Sequence, residues 1–161
     1  MKKINIQFKY AFAFALTVGL LTSLQAQVPY TFSNDGSEVT DTKTGLIWQR
    51  CSAGQTWAAS SSNCTGTASL YTHEQALTYA AKQSGRGWRL PSIEELSSIL
   101  DSTRTSPAID IAAFPNTPSN YYWTSSYDEY LPGFGKRIYF GDGGGLGSGP
   151  RGDASYVRLV R

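Results

Sequence analysis

Gly87-Trp88-Arg89-Leu90-Pro91-Ser92-Ile93-Glu94-Glu95-Leu96 is the stretch on which the fold turns. Pro91 restricts Leu90 to extended backbone, so Trp88 and Leu90 project to one side and Arg89 to the other. Ser92 then starts a helix abruptly. Ser-x-x-Glu at 92–95 is a capping box in which Glu95 reaches back to the N-cap amide, and Pro91 is placed to staple onto Leu96. Ile93, Leu96, Ile99 and Leu100 supply the buried face. Trp88, Leu90, Pro91, Ser92 and Glu95 therefore read as scaffold. A catalytic role for Glu94 or Glu95 is the weaker reading, because Glu95 already serves the cap.

Outward from this stretch the chain alternates helix and strand signals. Thr72-His73-Glu74-Gln75 is a second capping box, followed by an apolar stripe of Ala76, Leu77, Ala80 and Ala81, with Gly85 as the expected stop. Strand formers occupy residues 38–41 and 46–50 around a turn at 42–45, then 121–125, 137–140 and 156–161. Trp48 and Trp123 fall on these strands as core residues. Val157 and Leu159 share one face of the last strand, with Arg158 on the other. Gly and Ser gather at 52–69, 102–120 and 141–152, which read as loops. Strands, two helices, a long loop and strands make an α+β domain, expected over residues 27–161.

Residues 1–26 read as a cleavable export signal. Lys2, Lys3 and Lys9 precede an uncharged apolar run, 10–24, shorter than the roughly 20 residues of a membrane span, and small Ala26 stands at the exit. An uncleaved anchor is the competing reading. No transmembrane segment is expected after cleavage. The whole chain has 14 basic and 12 acidic residues; without the three leader lysines it has 11 against 12, a net charge of −1. That balance gives no general attraction to nucleic acid, so any anion preference must be local. Export makes a disulfide between Cys51 and Cys64 the expected state, and a redox or metal pair lacks the usual spacing.

Catalytic and metal signatures are thin. His73 is the only histidine; it is expected to be exposed at the first helical position, without zinc partners or a nucleophile elbow. Gly147-Ser148-Gly149-Pro150-Arg151-Gly152 spells a dinucleotide pattern but opens no helix, and reads as a surface loop. Arg151-Gly152-Asp153 and Asn63-Cys64-Thr65 match a receptor-read tripeptide and a glycosylation acceptor, both short enough to arise by chance. No cofactor is expected. Asp101, Asp110, Asp128, Glu129 and Asp142 lie in loops, which leaves a structural calcium open. The remaining candidates are contact residues: Lys136, Arg137, Arg151, Arg158 and Arg161, with Tyr121, Tyr122, Tyr127, Tyr130 and Phe134 around them. Pairing of the last strands would gather these cations into one basic patch suited to anionic glycans. The same residues also fit core aromatics with scattered surface charge.

Val39-Thr40-Asp41, Thr44-Gly45-Leu46-Ile47-Trp48-Gln49-Arg50-Cys51, Gly87 to Ser92 with Glu95-Leu96, Tyr122-Trp123-Thr124-Ser125-Ser126 and the closing Tyr156 to Arg161 together resemble the Lcl C-terminal domain family. The resemblance implies a C-type-lectin-like fold, related to the formylglycine-generating enzymes, in which terminal strands pair and two helices flank small antiparallel sheets. It implies an exported, non-catalytic binding or adhesion module for extracellular glycan or a surface protein. Sulfated glycosaminoglycans are the precedent, and Lys136, Arg137, Arg151, Tyr127 and Tyr130 are the contact candidates. A structural or accessory part in an envelope or pilus assembly is the alternative, and a modifying enzyme ranks last. The collagen-like repeat of the bacterial adhesin for which the family is named, the active cysteines of the formylglycine-generating enzymes and the Glu-Pro-Asn and Trp-Asn-Asp calcium signatures have no counterpart in this sequence.

Overall fold

A computed structural model describes residues 29–161; the expected export signal, 1–26, lies outside them. Three short antiparallel sheets and two helices make up the described part. The first sheet has β1 (Tyr30–Phe32), β2 (Glu38–Asp41) and β3 (Ile47–Gln49) in that order. A hairpin follows, β4 (Thr56–Ala58) with β5 (Asn63–Thr65). The third sheet is β6 (Tyr121–Tyr127), β7 (Phe134–Tyr139) and β8 (Gly145–Pro150), again antiparallel. The Cys51–Cys64 disulfide is present, tying the hairpin to the chain just after β3.

Both helices begin where their capping boxes place them. Helix α1 (His73–Lys82) has Thr72 Oγ1 accepting from the Gln75 amide at 3.3 Å, while Gln75 Oε1 accepts from the Thr72 amide at 2.9 Å. Helix α2 (Ile93–Ser97) repeats the device with Ser92 and Glu95. Glu95 does more than cap: its two oxygens take a bidentate pair from Arg89, each contact 2.6 Å. The helical stop is not Gly85. A 3-10 turn, Ser84–Arg86, extends the run, and Gly87 closes it at φ +78°, a left-handed conformation that glycine adopts without strain.

Residues 156–161 form the spine. Ile47 and Arg161 exchange backbone hydrogen bonds at 2.9 Å, and the Gln49 and Ala53 amides donate to Leu159 and Val157. On the other edge Val160 pairs with Arg89, and Tyr156 pairs with Tyr121 and Trp123. The expected terminal pairing is therefore present, though the segment spreads its bonds over several partners rather than forming one continuous ladder. It also divides the core. Val157 and Leu159 join Trp88, Leu90, Ala76, Ala80 and Trp123 on one side. Val160 joins Trp48, Val39, Leu96, Phe114, Tyr122 and Ile138 on the other.

Arg158 corrects the expectation of a surface cation. The alternation holds, but both faces of the segment are covered, and Arg158 is 0 % exposed. Its guanidinium donates to the carbonyls of Gln49 (2.8 Å) and Arg50 and to the hydroxyls of Thr117 (2.7 Å) and Ser52 (3.3 Å). It stacks on Phe114 at 4.8 Å. Arg50 acts likewise, donating to the carbonyls of Gly36, Ala112 and Ala113 at 2.7–2.8 Å. Neutral oxygens engage both cations, though the Arg158 Nε–H is left without a partner among the described residues, and together the two arginines pin the long 102–120 loop against the core. Burial pushes both guanidinium pKa values down from their ordinary range.

Candidate functional site

The 137–140 strand expected from sequence starts earlier, at Phe134, and pairs with both β6 and β8. Residues directly opposite one another in such a ladder share a face, and neighbours along a strand point to opposite faces. Trp123, Arg137 and Gly147 stand in one row, and Tyr121, Tyr139 and Gly145 in the next. Lys136 is opposite Ser148, on the reverse face. A single patch holding both Lys136 and Arg137 is thus ruled out by the period of the strand.

The 147–152 glycine pattern is likewise corrected: residues 145–150 are strand β8, not a loop. The glycines make room for side chains lying across the sheet. A Cβ on Gly149 would stand 2.3 Å from the Arg137 guanidinium carbon. Arg137 stacks on Tyr121 at 4.0 Å and approaches Trp123 at 5.5 Å, and its side chain is only 14 % exposed. Tyr121 meets Tyr139 at 4.8 Å.

The series continues through His73, which is buried, not exposed as its helical position suggested. The first turn of α1 rests on β6, so the ring meets Trp123 at 5.1 Å and Tyr127 at 5.2 Å. Its Nε2 lies 2.9 Å from the Thr124 carbonyl and must carry the proton there, which leaves Nδ1 buried without a partner among the described residues. Burial, the largest influence, lowers the His73 pKa; Arg151 lowers it further, while the Thr124 bond and Glu74 oppose. Arg151 then covers Tyr127 at 4.9 Å. Tyr139, Tyr121, Arg137, Trp123, His73, Tyr127 and Arg151 thus form one run of stacked rings and guanidinium groups.

Each cation of the expected site has a carboxylate beside it. Lys136 approaches Glu129 at 3.7 Å, Arg137 approaches Asp153 at 3.5 Å and Arg151 meets Glu74 at 3.1 Å. The charged residues of the 151–153 tripeptide are therefore both engaged within the domain. Arg161 pairs with Glu38 at 2.6 Å, apart from this face. Tyr127 is 51 % exposed and Tyr130, at the β6–β7 tip, 86 %. Asp128 shapes that tip by accepting from the Tyr130 and Leu131 amides and from the Ser148 hydroxyl. The Ser148 bond is the leading reason its carboxyl titrates below the ordinary range.

Sequence reading passed over Tyr139, Glu74 and Asp153 as members of this surface. The β6–β7 register brings in Tyr139, the docking of α1 brings in Glu74, and the turn after β8 brings in Asp153. The loop acids do not converge: among the described residues no three His, Cys, Asp or Glu side chains are grouped to hold a metal ion. Asp101 is occupied by Thr103 and Arg104, and Asp142 by Ser106. No helix among the described residues is long and apolar enough to cross a membrane.

Small antiparallel sheets with two short helices and a disulfide define a mixed α and β domain. The Lcl C-terminal domain model matches residues 37–161, and the chain belongs to that family. Neither a search of curated proteins nor one of solved structures finds a match.

Proposed function

We propose that this chain is an exported, non-catalytic binding module with a C-type-lectin-like domain over residues 27–161, recognising anionic, sulfated glycans. The observation that carries the reading is Arg151 lying over the half-exposed ring of Tyr127. An aromatic face beside a guanidinium suits a sugar ring that bears an anionic group. Exposed ion pairs are weak, about 0–1 kcal/mol, so a polyanion can displace Glu74 from Arg151. The leader-like 1–26 segment and the disulfide support export. His73 is enclosed by rings and bonded to a carbonyl, which favours a structural role over a catalytic one.

Heparin affinity chromatography of the purified chain tests this. Retention should fall with salt, and Arg151→Ala combined with Tyr127→Ala should lower the eluting salt concentration. No retention of the native protein, or identical elution of the variant, would overturn the proposal. One feature favours the alternative of an accessory part in an envelope assembly: Tyr130 and Leu131 are displayed together on the shaped β6–β7 tip. Co-purification with envelope proteins that disappears in Tyr130→Ala, without glycan binding, would establish that reading instead.

A further inference from the structure

A cleft of about 320 Å³ opens between the β2–β3 edge, the segment after Cys51 and the end of α1. Its size falls at the low end of small-molecule sites, roughly 300–1,000 Å³. Trp57, Tyr79 and Trp88 supply aromatic surface, and Gln49 and Arg86 line it beside Glu38. None of these residues belongs to the face on which the glycan reading rests, so either proposal can fail without the other.

The aromatic wall is fixed in advance. Trp57 donates its Nε1–H to the Asp35 carbonyl at 2.8 Å and is covered by the Arg50 guanidinium at 4.1 Å. The hairpin that carries it is tied down by the Cys51–Cys64 bridge. A ring held this way loses little freedom when a ligand stacks on it.

Polar groups of the cleft remain unspent. Arg89, Arg104, Arg137, Arg151 and Arg161 each pair with a carboxylate, and Arg50 and Arg158 are held by carbonyls and hydroxyls. Arg86 alone among the arginines of the described residues has no side-chain partner there, while its backbone is held by Gln83 and by Arg161. The Gln49 side-chain amide and the Tyr79 hydroxyl likewise make no hydrogen bond among the described residues. Glu38, the acid on the rim, is occupied by Arg161 at 2.6 Å and so is not free to repel an anion.

We propose that this cleft binds a carboxylate-bearing sugar, a hexuronic acid. The sugar face stacks on Trp57, its carboxylate takes the planar fork of Arg86, and its hydroxyls meet the Gln49 amide and the Tyr79 hydroxyl. Such a residue is supplied either free or at the end of a polysaccharide.

Titration calorimetry with glucuronate, backed by tryptophan fluorescence, tests the assignment on the purified chain. Glucuronate should bind saturably, and Arg86→Gln, an exposed change that leaves the core untouched, should weaken it about ten-fold, as loss of a charge-assisted hydrogen bond implies. Methyl glucoside should bind more weakly than glucuronate and be indifferent to Arg86→Gln. Trp57→Ala should abolish both. Stronger binding of a glucuronate-ended tetrasaccharide would identify a polymer end as the source, and equal binding the free acid. The proposal is overturned if glucuronate shows no saturable binding, if Arg86→Gln leaves its affinity unchanged, or if benzoate binds where glucuronate does not.

Discussion

The guanidinium carbon of Arg137 lies 2.3 Å from where a Cβ on Gly149 would stand, so the arginine occupies the place of its neighbour's missing side chain. The same missing atom matters differently at Gly135, where a Cβ would come within 2.8 Å of the His73 ring and 3.2 Å of Trp123.

These two glycines should therefore respond unequally to alanine. At Gly149 the obstacle is the flexible end of an arginine, so the cost should be about 1 kcal/mol, from lost stacking on Tyr121. At Gly135 the obstacles are two buried rings with nowhere to go, and overpacking should cost about 1–3 kcal/mol. Urea denaturation of both variants measures the difference, with Gly135→Ala the less stable.

Arg158→Ala should be the most damaging single change among the charged residues. It removes a buried side chain and leaves the Gln49 and Arg50 carbonyls and the Thr117 hydroxyl short of a donor. A loss of about 2–5 kcal/mol is expected, from the cavity left behind and from the oxygens left without a donor. Arg158→Lys should recover only part of it, because an ammonium lacks the fork that spans these oxygens. Guanidinium denaturation of the two variants checks both statements.

His73 makes stability depend on pH in a defined direction. Its folded-state pKa is lowered, chiefly by burial, so the unfolded chain takes up the proton first as pH falls below about 6.5. The His73 contribution is therefore fully present above that pH and is lost as pH falls through the lower folded value. Arg151 and Glu74 are the charged groups facing the ring, and they act in opposite senses. With a single histidine in the chain, its proton resonance follows the titration without ambiguity. It should stay in the neutral form below pH 6.5, and His73→Gln should flatten the corresponding part of the stability curve.

Reduction of Cys51–Cys64 should cost about 3 kcal/mol in the chain-entropy account. It should also loosen the β4–β5 hairpin before the remainder unfolds, since that hairpin pairs with neither of the three-stranded sheets. Limited proteolysis under reducing conditions should cut first between residues 56 and 65.

Legibility in the sequence followed the range of the interactions involved. Both helix starts could be read because a capping box spans four adjacent residues. Trp88 and Leu90 could be placed in the core because Pro91 fixes their backbone. Strand β8 is not legible because Gly145, Gly147 and Gly149 offer no strand-forming side chain; its partner β7 supplies the pairing and Arg137 fills the space. The burial of His73 is hidden for a related reason: a first-turn residue is ordinarily solvated, and only the docking of α1 on β6 buries it. For Arg158 the face was read correctly, but a second core lay on that side. The contact candidates divided likewise: Arg151 and Tyr127 meet, while Lys136 is turned away by one step of the pleat.

The placement of residues 156–161 sets a timetable. The first sheet, Arg89 and β6 all close on this segment, yet every one of these partners is synthesised before it. Until it arrives, both halves of the interior have an open side and Arg158 is not there to hold the 102–120 loop. Pairings between positions so distant in the chain form slowly. The two halves of the core therefore close only after residues 156–161 have been delivered, and until then the chain stays open.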